Sequence, residues 1–105
     1  MSFRWPNKDP DELLDYSIDW SRFVGVATIS SDAWYVEDSA GVKTLITAGQ
    51  TVNGIQNVSQ TVSGAITTIN LGLGTNNTEY KFTCRMTDST GSIAERTVRL
   101  RIKEQ

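Results

Sequence analysis

Apolar and polar residues alternate with a period of two along several stretches of the chain, most clearly near its C-terminal end. Tyr80, Phe82, Cys84 and Met86 interleave with Lys81, Thr83, Arg85 and Thr87, which predicts a strand with one face on a core and the other in water. Asp88-Ser89-Thr90-Gly91 follows, with Asp at the first position of a type I turn and Gly at the last. Val98, Leu100 and Ile102 then alternate with Thr97, Arg99, Arg101 and Lys103, so a second strand returns and closes a hairpin. Ile93 is out of step with that series, and a bulge is expected near Ala94-Glu95. An isolated hairpin is marginal in water. The rest of the chain must therefore supply a facing sheet.

Upstream, Leu14, Tyr16, Ile18 and Trp20 alternate with Asp15, Ser17 and Asp19, a first strand with an acidic outer face. It is expected beside the last strand, whose outer face carries Arg99, Arg101 and Lys103, because cross-strand charge pairs worth about 0.2–1 kcal/mol each would fix that neighbour. A helical turn is allowed over Asp11 to Leu14. Val24 to Glu37 is β-rich with a change of phase: Val24, Val26 and Ile29 face inward on one reading, while Trp34 and Val36 fall on a parity that Ile29 does not share, so Ser30-Ser31-Asp32 holds a bulge or bend. Trp34 is the expected central aromatic of the core. Asp38-Ser39-Ala40-Gly41 is turn chemistry, and Val42 to Thr47 is a short strand around Leu45 and Ile46. Val52 to Val62 is polar and interrupted by Gly54, which reads as an edge strand plus loop. Ala65 to Leu71 is a further strand, closed by the loop Gly72-Leu73-Gly74-Thr75-Asn76-Asn77.

About seven to eight short strands at intervals of about ten residues define an all-β, immunoglobulin-like β-sandwich over residues 11–105. Its expected core contains Tyr16, Ile18, Trp20, Trp34, Tyr80, Phe82, Cys84, Val98 and Leu100. Residues 1–10 carry Pro6, Pro10, Phe3 and Trp5 without alternation and are expected to form an extended N-terminal arm. Phe3, Arg4, Trp5 and Pro6 are its candidate partner-binding residues. Two placements are open: Trp5 folds back against its own sandwich, or Phe3 and Trp5 anchor the arm on a neighbouring subunit, where aromatic anchors carry much of the energy.

Composition narrows the chemistry. With 105 residues there is room for one domain and one core. A net charge of -2 lacks the basic surplus of a nucleic-acid binder, so no nucleic-acid partner is expected. The single cysteine, Cys84, cannot form an internal disulfide and falls on a core face, where a buried thiol is expected. The chain has no histidine, which removes the usual general base, the commonest metal ligand and every Ser-His or Cys-His arrangement. Asp9, Asp11, Glu12, Asp15 and Asp19 form an acidic cluster without the glycine and closing glutamate of a calcium loop. Paired carboxylates across a cleft, as glycosidases need, are not evident. No catalytic role, metal or cofactor is expected. Gly72 and Gly74 precede neither a helix start nor a lysine, so they do not read as a phosphate loop. Asn57-Val58-Ser59 and Asn76-Asn77-Thr78 match the glycosylation pattern, but no signal-peptide core precedes them. No apolar run approaches the roughly 20 residues that cross a bilayer. No membrane partner is expected, and the protein reads as one made and assembled in a cytoplasm.

The stretches WPNKDPDELLDYSIDWSRFV, TISSDAWYV and INLGLGTNNTEYKFTCRMTDSTGSIAERTVRLRIKEQ resemble a family of small tailed-phage and prophage fibre-tail adaptor, or virion structural, proteins. The similarity covers nearly the whole chain in order. Its most specific part is the opening, in which Lys8, Asp9, Pro10, Asp11, Glu12, Leu14, Asp15, Tyr16, Asp19 and Trp20 match; Gly49 to Ser63 departs from the pattern. The resemblance implies a non-enzymatic virion component, present in several copies and held to tail, portal or fibre proteins by protein–protein contacts. Small proteins of this type also decorate capsids, and a carbohydrate-binding attachment module would need Trp5, Trp34 or Tyr35 exposed as a stacking platform.

Overall fold

The structure, a computed structural model, describes residues 3–25, 27–37 and 40–104. Nine strands and one short helix follow in the order β1 (Phe3–Arg4), β2 (Leu14–Asp19), α1 (Ser21–Val24), β3 (Ile29–Glu37), β4 (Lys43–Leu45), β5 (Thr51–Val52), β6 (Ile55–Ser63), β7 (Ile66–Leu73), β8 (Thr78–Asp88) and β9 (Ile93–Ile102). They form a β-sandwich of two sheets, one with strand order β1-β9-β8-β3-β4 and the other β2-β7-β6-β5. All pairings are antiparallel except β1 with β9, which is parallel.

Alternating side chains from both sheets meet in a single core. Tyr16, Ile18, Trp20, Trp34, Tyr80, Phe82, Cys84, Val98 and Leu100 all lie in it, with Ile46, Ile55, Ile69 and Leu71 from the facing elements. Trp34 sits opposite Cys84 on β8, and its indole N–H donates to Asp32 at 3.0 Å. Trp20 and Cys84 are linked through Thr67: the Trp20 indole donates to its hydroxyl at 2.9 Å, and the Cys84 sulfur lies 3.6 Å from the same oxygen. These polar atoms thus have partners, which offsets the cost of burying them; among the described residues, Asn57 Oδ1 is the buried side-chain oxygen left without one.

The β8–β9 hairpin turns at Asp88, whose carboxylate accepts the N–H groups of Thr90 and Ser92, both at 2.9 Å. Gly91 closes the turn at φ 91°, a conformation that a Cβ would oppose. The register shift in β3 falls between Ile29 and Ser31, within the segment where the hydrophobic phase changes.

Other expectations are corrected. β2 pairs with β7 and not with β9, because both sides of β9 are occupied by β8 and β1. Asp15 accordingly accepts a hydrogen bond from Asn70 at 2.7 Å, and Arg99 meets Glu79 of β8 at 3.6 Å. No bulge interrupts β9: pairing runs in step from Thr78↔Ile102 to Thr87↔Ile93. Ile93 shares the polar outer face with Glu95 and Thr97 and is 55% exposed. The single helical turn forms at Ser21–Val24, not over residues 11–14. Asp19 accepts the Ser21 N–H at its start, and Gly25 ends it at φ 57°. Val26 and the Asp38-Ser39 part of the turn after β3 lie outside the described residues.

Candidate functional site

The expected arm does not project from the body. Residues 3–8 run along β9 of their own chain: Trp5 donates its backbone N–H to Arg99 O at 2.9 Å, Lys8 to Arg101 O at 3.0 Å, and Lys103 returns a bond to Lys8 O at 2.8 Å. The segment is a strap that closes one flank, where the outer strand of each sheet, β1 and β2, faces the other.

Trp5 fills that flank. It is 8% exposed, stacks on Tyr16 with ring centroids 4.7 Å apart, and meets Trp34 and Phe82 at 5.9 and 5.8 Å. Its indole N–H reaches Ser17 O at 3.4 Å. An aromatic surrounded by three others has more to gain from its own core than from solvent, and Trp5 belongs to the core. Arg4 and Pro6 remain on the surface, and the Phe3 side chain lies outside what the structure describes. Trp5, Trp20 and Trp34 are all buried and Tyr35 is half-buried, which removes the tryptophan platform that sugar stacking requires.

The acidic opening KDPDE is a built turn. Asp9 donates its N–H to Glu12 Oε1 at 2.9 Å, Asp11 donates to Asp9 Oδ1 at 2.8 Å, and Glu12 N–H bonds Asp9 O at 3.0 Å. The carboxylates are acceptors for local backbone donors, the same physics as a helix capping box. Lys8, on the inner side of this turn, is fully buried. Its ammonium donates to Asp9 O at 2.8 Å and to Leu73 O, at the end of β7, at 2.6 Å. One cation on the first sheet's strap thereby holds the end of the second sheet. Burial lowers the Lys8 pKa below 10.5, while Glu12, Asp9 and Asp11 pull the other way. Tyr16, beside the strap, is pushed up to about 12 by burial, with the Glu12 charge adding to it. Among the described residues no group of three or more Cys, Asp or Glu side chains is arranged to hold a metal ion.

Next to Trp5 the flank opens into a cleft of about 610 Å³. Trp5, Ile18 and Val98 form its apolar floor, and Arg4, Arg22, Arg96 and Asp19 are its charged lining. Arg96 has the core-facing parity of β9, two positions before Val98, and its guanidinium lies 5.4 Å from the centre of the Trp20 ring, a cation–π contact that orients it. Arg4 meets Glu79 at 3.3 Å with both groups partly in water. Asp19 is held below its ordinary pKa by the backbone N–H of Ser21, helped by that residue's hydroxyl, and is ionised at neutral pH. Neither the burial of Lys8 nor the convergence of Arg4, Arg22 and Arg96 is expected from the sequence. These residues come from β1, α1 and β9, and no local pattern joins them.

Buried inside, Cys84 is pushed up to about 12 by desolvation, with the Thr67 hydroxyl opposing. Such a thiol is a core atom and a poor nucleophile. Among the described residues no helix is long and apolar enough to cross a membrane.

The molecule thus belongs to the class of small, rigid sandwich proteins that offer surfaces: a basic cleft, an acidic turn and polar sheet faces. The family model of the podophage GP4 fiber-tail adaptor protein gp77 matches residues 8–101, and the chain belongs to that family. It is therefore a component of the phage virion, of a structural adaptor class whose role is to bind other tail or fibre proteins. The match begins at Lys8, the residue that ties the two sheets. No curated protein matches the chain.

Proposed function

We propose that this protein is a structural adaptor that joins tail or portal components of a podophage particle to a fibre or spike, in several copies arranged symmetrically and through protein–protein contacts alone. The observation that carries the proposal is the family match, which runs from Lys8 at the end of the strap through both sheets, β2 to β9. The geometry is compatible with it. A sandwich whose flank is closed by its own N-terminal segment is stiff enough to transmit register between two partners, and its charged features lie on the outside where partners can reach them. Strand order supports an immunoglobulin-type connectivity: β2-β7-β6 occupy the places of strands B, E and D, and β9-β8-β3-β4 those of G, F, C and C′. Neither nucleic acid nor membrane is a partner in this reading. The overall charge is -2, without the basic surplus that binding a nucleic-acid backbone calls for. Assembly takes place in the host cytoplasm.

A cryo-EM reconstruction of the purified particle, resolved well enough to place this chain, tests the reading. A ring of copies at the tail vertex, in contact with a portal, tail or fibre protein, is expected. Copies spread over the capsid lattice would instead identify a decoration protein and overturn the adaptor assignment.

A further inference from the structure

We propose that the cleft between β1 and β2 seats an extended, carboxylate-rich segment of a neighbouring tail or fibre protein, laid alongside the open edge of β2. The identity of the neighbour rests on the adaptor reading; the chemistry of the segment rests on the cleft. β2 has β7 on one side and, among the described residues, no strand on the other. Trp20 donates its N–H to Ala65 O, just before β7, at 2.8 Å, which sets the alternation. Even-numbered residues of β2 turn their backbone groups to β7, and Asp15, Ser17 and Asp19 turn theirs to the open side. The Trp5 indole occupies Ser17 O there by a bond of 3.4 Å, which leaves the backbone groups of Asp15 and Asp19 and the Ser17 N–H for an added strand. An incoming strand would find unpaired edge groups to bond, the main source of affinity in strand addition.

The lining selects which strand. Side chains of an added segment alternate, so one set meets the apolar floor of Trp5, Ile18 and Val98 and the other meets the charged rim. That rim holds three guanidinium groups, Arg4, Arg22 and Arg96, against one carboxylate, Asp19, in a protein whose overall charge is negative. Asp19 already accepts the Ser21 N–H at 2.9 Å. The Arg4–Glu79 pair is half-exposed, and pairs of that kind are worth only about 0–1 kcal/mol, so Arg4 can turn to a carboxylate from a partner. Guanidinium groups bind carboxylates through two parallel N–H donors. The segment that fits alternates Asp or Glu with a β-branched residue. A nucleic-acid strand fits less well, because Trp5 is buried in the floor and leaves no exposed ring for a base to stack on.

The test is a titration of the folded full chain, followed residue by residue through its amide NMR signals. The probe is a hexapeptide alternating Asp or Glu with Val, and the control is its Asn/Gln counterpart. Shifts are expected at residues 17–22 and 96–98 with the acidic peptide only, weakening at high salt. Arg22→Glu, on an exposed one-turn helix, should weaken binding about five- to tenfold and leave the other amide signals in place; Arg4→Gln should weaken it less. The proposal is overturned if the acidic peptide gives no shifts at millimolar concentration, if the neutral peptide binds equally, or if Arg22→Glu has no effect. Shifts at the same residues that follow protein concentration instead of peptide would mean that a second copy occupies the cleft, and would also overturn it. Peptide binding that survives while the particle shows the chain on the capsid lattice would reject the adaptor reading alone. A chain at the tail vertex with its cleft empty would reject this inference alone.

Discussion

Replacing Trp5 with alanine separates the two roles open to an aromatic near the chain start, a core residue or an anchor for a neighbour. In the structure the indole is 8% exposed and touches Tyr16, Trp34 and Phe82. Truncation of a buried Trp or Phe costs about 3–5 kcal/mol from lost transfer energy and the cavity left behind. Two opposing effects place Trp5 within that range. Loss of the aromatic contacts, worth about 0.5–1.5 kcal/mol per pair beyond area, raises the cost. The adjoining cleft lowers it, since water can enter the space and the walls can relax. About 3 kcal/mol is therefore expected, with Trp5→Phe retaining more than half of the loss. Urea unfolding of the isolated protein, followed by far-UV circular dichroism, measures it. At a slope of about 1–3 kcal/mol per molar urea, the midpoint should fall by about 1–3 M, and the thermal midpoint by about 12–24 °C. A drop below about 1 kcal/mol in the isolated protein, with a defect appearing only in particle assembly, would refute the core assignment. Trp5 would then be an interface residue despite its burial.

Three further outcomes follow from the same geometry. Lys8→Met keeps the buried stem but removes the ammonium from Leu73 O and from Asp9 O, which keeps the Glu12 N–H; a loss of about 1–3 kcal/mol is expected in the same urea assay, and a variant as stable as the parent would show that the ammonium does not tie the sheets. Asp88 sits below its ordinary pKa of 3.8, chiefly through the Thr90 hydroxyl and then the N–H groups of Ser92, Thr90 and Gly91, against a desolvation effect. Its unfolded form therefore binds a proton first: the stabilisation is complete above about pH 4 and is lost as pH falls through the folded value. Thermal midpoints of parent and Asp88→Ala should differ at neutral pH and converge in acid, and parallel curves would reject this. Cys84 should resist a thiol reagent at pH 8 in the native state and react fully in denaturant, since burial holds its pKa near 12; rapid native labelling would contradict the packing around Thr67.

The features that could be read from the sequence are those set by neighbours in the chain. The period of two in Tyr80–Thr87 and Thr97–Lys103 placed β8 and β9, and Asp88 with Gly91 placed their turn, because side-chain alternation and turn chemistry act over a few residues. The phase change after Ile29 marked the register shift for the same reason. What escaped depends on distant parts of the chain. The neighbour of β2 was assigned by charge, but a surface ion pair is too weak to choose a strand partner against the burial of a whole apolar face. Ile93 suggests a bulge from its parity, although one exposed apolar residue on a polar face needs no special geometry. Lys8 looked like one more charge in an acidic run, and its burial exists only because Leu73 O arrives from the other sheet. In the cleft, Arg96 falls on the apolar parity of its own strand, a local clue that something aromatic lay beneath it. Arg4 stood out only as part of the arm, and nothing nearby pointed to Arg22.

The parallel bond between β1 and β9 has a consequence for the order in which the molecule can be made. Phe3 pairs with Val98, residues separated by nearly the whole length of the chain. During synthesis Trp5 emerges about ninety residues before the strand beside it. Until β9 has been added, the flank stays open and Tyr16, Trp34 and Phe82 lack their cover. The strap is thus a late closure, and a copy whose β9 has not yet left the ribosome cannot present the finished cleft to a partner. Assembly contacts made through that flank are restricted to molecules whose synthesis has passed β9.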